Sequence, residues 1–330
     1  MQEPERSVTD TATVFMFSGQ GSQYFQMGRE LFEKNDTFRR WMVRLDATAQ
    51  RSAGQSVIET LYSDAHSKGD PFDRTLLTHP AIFMVEYSLA QTLMEMDVWP
   101  DMVLGASLGS FAAAAVAGFL DVEDALSAVI RQARLLEEWC EPGGMIAVLA
   151  DPALFAEEPF RGRSELAAVN FSSHFVVTAK QSELATIEAE LKARAIGHQR
   201  LPVSFAFHSQ WIDEARAPFV SFMQSVGRKP SRIPLVCCDE TATVTGLSDD
   251  YLWNVVRRPI RFRETIAWLE RQGTHRYIDA GPAGTLATFL KYVLPRTTSS
   301  TAHAILTPYG LDQRNLAAVS ASFHALTPAS

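Results

Sequence analysis

Apolar positions along the chain alternate between short continuous runs and runs spaced at helical intervals. Residues 13–17 (TVFMF) are apolar throughout, with β-branched and aromatic members, and stop at Ser18-Gly19-Gln20-Gly21. This predicts a buried strand entering a glycine loop. Phe32, Phe38, Trp41, Met42 and Leu45 then recur at helical spacing within residues 24–62. Residues 80–97 predict a strong amphipathic helix with Pro80 in its first turn. A short apolar strand at 102–104, a turn at 105–109 and a helix of very small residues at 110–119 follow.

Between about 139 and 206 the rhythm changes. Strands are predicted at 145–150, 165–170, 174–179 and 198–205, with a short helix opened by Pro152 and a longer one over 182–195. That β-α-β-β-α-β order is the split unit of ferredoxin-like folds, inserted as a subdomain. Larger-domain rhythm resumes with a strand at 233–238, helices around Trp253 and Ile266, and a strand at 275–279 that runs into Gly281-Pro282-Ala283-Gly284 and a helix. The expected organisation is a large α/β domain from 12–138 with 207–300, a small subdomain at 139–206, and a C-terminal extension at 301–330. Residues 1–11 read as a frayed polar tail, with no signal peptide.

Composition adds exclusions. Apolar residues are 46%, charged residues 21%, and the net charge is -8. No basic run suggests nucleic acid, and no apolar stretch is long enough to span a membrane. The three cysteines, Cys140, Cys237 and Cys238, form neither a disulfide framework nor a zinc pattern, which fits a reducing cytoplasm. No metal and no cofactor is expected.

The chemistry concentrates at Gly105-Ala106-Ser107-Leu108-Gly109, where strand, G-x-S-x-G and helix follow one another as in a nucleophile elbow. A serine hydroxyl at neutral pH needs a base within reach and donors for the oxyanion. The Leu108 N–H, at the start of a helix, is one such donor. Eight histidines compete for the base. His208 ends the apolar stretch Pro202–Phe207, a placement suited to entering a cleft. His79 and His174 remain alternatives from spacing alone.

Several motifs in order now resemble the malonyl-CoA:acyl-carrier-protein transacylase family. Phe17-Ser18-Gly19-Gln20-Gly21-Ser22-Gln23 is similar to its F-x-G-Q-G-S-Q loop, and His79-Pro80-Ala81-Ile82 to its Q-P-A-L. The elbow resembles G-H-S-L-G, Phe205–Ser209 the segment around the catalytic histidine, and Asp279-Ala280-Gly281-Pro282 a late E-x-G-P. The resemblance covers about residues 13 to 295. It implies an α/β-hydrolase-like large domain with a parallel sheet, a ferredoxin-like insert, and a Ser107–His208 dyad. A backbone carbonyl orients the histidine in that family, by position that of Val255. The Gln20 N–H is the implied second oxyanion donor.

Departures from the family bear on the substrate. Malonyl-specific members carry an arginine 25 residues after the serine, and here that position is Gln132. Arg131 and Arg134 point about 100° and 200° away on a helix. Losing a charge-assisted pair costs on the order of 1.5–3 kcal/mol. Ala106 replaces the histidine beside the nucleophile and Ser110 a glutamate. His79, Phe205 and Phe207 are the remaining expected pocket residues, and His174 reads as structural or solvent-facing. The pattern most resembles the acyl-hydrolase branch of discrete acyltransferase homologues in trans-acyltransferase polyketide synthase pathways. It implies a monomer that releases neutral acyl groups from acyl-carrier-protein or acyl-CoA thioesters. Transfer to a second thiol, of non-malonyl or malonyl groups, is the alternative, and a non-catalytic scaffold is a third reading that would not need Ser107.

Overall fold

The computed structural model describes residues 11–324, so the polar tail lies almost wholly outside the described residues. Among the described residues ten strands form two sheets: β1 (Ala12–Phe17), β2 (Met102–Gly105), β3 (Gly143–Val148), β4 (Glu165–Phe171), β5 (His174–Lys180), β6 (His198–Arg200), β7 (Leu235–Cys237), β8 (Ala242–Val244), β9 (His275–Asp279) and β10 (Thr301–Ala304).

The larger, six-stranded sheet has the order β10-β9-β1-β2-β7-β8. All its pairs are parallel except β7 with β8. Helices cover both faces, so its central strand β1 is buried along nearly its whole length and reads as a continuous apolar run. From β1 the chain moves outward on one side through β2 and β7, then returns on the other through β9. The carboxyl ends beside this reversal form the crevice where α/β sheets bind ligands.

The second sheet has the order β4-β5-β3-β6 and is antiparallel throughout. The longer predicted strand at 198–205 pairs only over His198–Arg200. Beyond it the chain turns away at Pro202, which cannot donate to a ladder. β4 also meets the large sheet's flank: the Ile260 N–H donates to the Ala167 carbonyl at 2.8 Å.

One further expectation needs correction. The helix predicted over 80–97 spans Thr75–Glu95, with Pro80 inside it. It is buried on all sides rather than amphipathic, because it packs among the Asp36–Ala53, Gly109–Ala117 and Val122–Trp139 helices. That burial offsets the backbone bond Pro80 cannot make. The weakly periodic C-terminal residues supply β10 and a helix over Asp312–His324. Among the described residues no helix is long and apolar enough to cross a membrane, and Cys140, Cys237 and Cys238 are all unpaired.

Candidate active site

β2 runs directly into the turn at Ser107 and the Gly109–Ala117 helix. Ser107 takes φ of 55°, a left-handed conformation that lifts its side chain out of the turn. Turn geometry is held by Ala106 N–H to the Phe17 carbonyl (2.9 Å) and Gly109 N–H to the Ala106 carbonyl (3.0 Å). Gly109 abuts the backbone of Phe17 and Ser18, so a side chain there would collide with main chain. Gly19 also brings the glycine loop close: a Cβ on it would lie 2.9 Å from Ser107 Cβ.

His208 Nε2 stands 2.8 Å from Ser107 Oγ. Its other nitrogen, Nδ1, lies 2.7 Å from the Arg258 carbonyl. A carbonyl can only accept, so Nδ1 carries the hydrogen and the Nε2 lone pair faces the serine hydroxyl. The ring is buried, and burial lowers its pKa to about 4. It is therefore neutral near pH 7, the state a general base needs. The orienting carbonyl belongs to Arg258, not to Val255 as the resemblance implied. Val255 lies inside the Tyr251–Arg257 helix with its side chain in the core. Arg258 caps that helix in an extended conformation, which turns its carbonyl out toward the imidazole. The neighbouring Val256 carbonyl accepts the His208 N–H at 2.9 Å. Asp279 spends both carboxylate oxygens on the Gly281 and Ala287 N–H groups, and burial raises its pKa to about 6.

The backbone N–H groups of Leu108 and Gln20 have no acceptor among the described residues, and both residues line one cavity with Ser107. The Gln20 side chain is fixed on both ends. Its Nε2 donates to Thr78 Oγ1 at 3.1 Å, and its Oε1 lies 3.0 Å from His79 Nε2. His79 is fully buried, which lowers its pKa to about 3, so it is a neutral donor here. Gln23 clamps the same loop, accepting from Gly21 N–H and donating to the Phe72 and Pro202 carbonyls.

The cavity measures about 200 Å³ and is walled by both sheets. Ala106, Phe207 and His79 line it as expected. Phe205 does not; its ring meets that of Phe207 edge-on at 6.4 Å, in a segment that bends rather than running as a strand. Gln132 does not line it either. It is fully buried on the Val122–Trp139 helix, and neither its Oε1 nor its Nε2 has a partner among the described residues. Arg131 and Arg134 also lie outside the lining, and Arg134 donates to the Ser52 carbonyl. Among the described residues, no Lys, Arg, Asp or Glu lines the cavity.

His174 faces inward rather than to solvent. It is half-buried in the lining, with Nδ1 3.1 Å from Asn170 Nδ2 and its ring 5.3 Å from that of Phe289. Asn170, Thr285 and Phe289 escaped the sequence reading. Asn170 at a strand end beside a polar turn was the available signal.

Known proteins place this geometry. The acyl transferase domain model matches residues 14–327. The chain belongs to the acyl transferase domain family. This acyltransferase is 46% identical over 92% of its length to "Polyketide biosynthesis acyltransferase homolog BaeD" of Bacillus velezensis, covering 94% of that protein. It is 43% identical to "Polyketide biosynthesis acyltransferase homolog PksD" of Bacillus subtilis, with the same coverage. Among solved structures, the loading acyltransferase of the avermectin modular polyketide synthase superposes with a TM-score of 0.84 at 27% identity, over 94% of this chain and 99% of that one. The MCAT of Streptococcus pneumoniae aligns with a TM-score of 0.76 at 26% identity, over 94% and 99%. The acyltransferase fold, with its parallel sheet and small antiparallel sheet, is therefore the family's.

Proposed function

We propose that this acyltransferase-family chain is an acyl hydrolase that clears neutral acyl groups from acyl-carrier-protein thioesters in a polyketide pathway, through an acyl-Ser107 intermediate. The observation that carries the reading is a Ser107–His208 dyad opening on a cavity lined, among the described residues, by no charged side chain. A malonyl carboxylate placed there would lose its water without gaining a cation, at a cost of several kcal/mol. Acetyl or longer acyl chains bear no such cost. The pathway assignment is supported by the names of the two Bacillus relatives.

In the reaction, Ser107 Oγ attacks the thioester carbonyl carbon as His208 Nε2 takes the hydroxyl proton. The carbonyl oxygen becomes an oxyanion between the Leu108 and Gln20 N–H groups. Collapse breaks the C–S bond, and the imidazolium returns the proton to the thiolate, releasing the carrier's thiol. Water then attacks the acyl-serine, giving its proton to His208, and the acid leaves as Ser107 is reprotonated. We further propose that residues 12–138 with 207–300 supply this chemistry, that 139–206 supplies the facing wall, and that the protein acts as a cytoplasmic monomer. Transfer to a second thiol shares the first half of the reaction and differs only in what attacks the acyl-serine.

The test presents acetyl, butyryl and malonyl thioesters on a carrier protein and follows intact mass. Loss of the neutral groups with malonyl retained supports the proposal. Rapid malonyl turnover, or acyl appearing on an added second carrier without net loss, refutes it.

A further inference from the structure

Glu86 sits at the middle of the Thr75–Glu95 helix, fully buried, and no step above uses it. Its Oε1 accepts the Ser18 N–H at 2.7 Å and lies 3.0 Å from Ser18 Oγ. Ser18 Oγ is also 3.0 Å from Ser22 Oγ, and Ser22 Oγ donates to the Gly19 carbonyl at 2.8 Å. The oxygens of Glu86, Ser18, Ser22 and Gly19 thus form one line beneath the loop that carries Gln20.

Three oxygen–oxygen contacts in a row need three hydrogens. The two serines supply two. The third is available only if Glu86 is an un-ionised acid, whose Oε1–H reaches Ser18 Oγ, passing each hydroxyl hydrogen one place along to the Gly19 carbonyl. A carboxylate would leave one contact with two lone pairs face to face. Glu86 Oε2 has no partner among the described residues, tolerable for an acid's carbonyl oxygen but costly for a buried charge. Burial first, and the charge of Asp279 last, push its pKa well above the usual carboxylate range.

The end of the line matters because the Gly19 carbonyl and the Gln20 N–H belong to one planar trans peptide. Pinning the oxygen to Ser22 turns the N–H to the opposite side. Gly19 itself lies against Ser107, as its close approach to that Cβ records. We propose that Glu86 is a positioning residue, present as a neutral acid, whose hydrogen completes the chain that locks the Gly19–Gln20 peptide with its N–H turned to the oxyanion. The proposal rests on the acylation of Ser107 argued above, and not on what later attacks the acyl-serine.

The test measures single-turnover acylation of Ser107 by butyryl-N-acetylcysteamine, using intact mass on the full-length chain, for wild type, Glu86→Gln and Ser22→Ala. A glutamine oxygen at the Oε1 position only accepts, so the chain loses a link. Ser22→Ala releases the Gly19 carbonyl while leaving Glu86 on Ser18. Each variant should acylate at least about tenfold more slowly, approaching the 10²- to 10³-fold loss of a missing oxyanion donor. The half-saturating thioester concentration and melting temperature should stay near wild type. Infrared difference spectra should show the carbonyl band of a buried protonated acid in wild type and not in Glu86→Gln. Acylation within about twofold of wild type in both variants, weaker thioester binding that accounts for the whole loss, or absence of that band overturns the proposal. A wild type no faster than Ser107→Ala overturns the acyl-serine reading along with it.

Discussion

Lowering the pH tests the state of His208 directly. A solvated imidazole titrates near 6.5, so at about pH 5.5 only about one-tenth of it is a free base. Burial lowers the His208 pKa to about 4, with the bond to the Arg258 carbonyl working in the opposite direction and Arg257 adding to the depression. Almost all of it is then neutral at the same pH, an advantage of about tenfold in active enzyme. The same shift affects stability. A histidine whose pKa is depressed on folding contributes fully above about 6.5, and that contribution, on the order of 3 kcal/mol, is lost as pH falls through about 4. The assay is kcat/KM for butyryl-N-acetylcysteamine across about pH 4 to 8, with a melting curve at each point to separate unfolding from titration. The rate should hold level to about pH 5 and reach half near 4. A half-maximum near 6.5 with the protein still folded would refute the burial argument.

Other perturbations follow from named contacts. Replacing His208 with Ala should cut kcat by about 10³-fold or more, and Ser107→Ala should leave no acyl adduct by intact mass. Phe289 walls the cavity beside His174 and Phe262. Phe289→Ala should therefore raise kcat/KM for octanoyl over acetyl thioesters by about tenfold, the effect of burying about two further methylenes at about 0.8 kcal/mol each; an unchanged chain-length profile would count against it. Gln132→Met removes a fully buried amide with no partner among the described residues. It should stabilise the fold by about 1–3 kcal/mol in chemical denaturation, and a loss of stability would reveal a partner for the amide.

What could be read from the sequence was what the sequence keeps local. β2, the turn and the Gly109–Ala117 helix are contiguous, so their order alone exposes Ser107. The split β-α-β-β-α-β unit survives because each strand is short and bounded by turns. His208 lies 101 residues from Ser107, and no periodicity links them; motif resemblance supplied that pair. The Arg258 carbonyl was misplaced by three positions because a helix cap depends on φ and ψ, not on residue pattern. Gln132 and Phe205 were misplaced for a related reason. Neither lines the cavity, and facing direction is decided by the segments packed around each. Glu86 gave no signal, since a single acid in an apolar helix is defined by neighbours from the glycine loop 68 residues away.

The cavity's two walls have separate origins. The proposed nucleophile, base and oxyanion donors hang from the large sheet and its flanking segments, while Met145, Ala147, Ala168, Asn170 and Val176 face them from the second sheet. On the proposed function, part of the acyl preference can thus change in the second sheet without disturbing the reactive centre. A lineage can exchange the β3–β5 wall to accept new chains while inheriting its reactive centre intact.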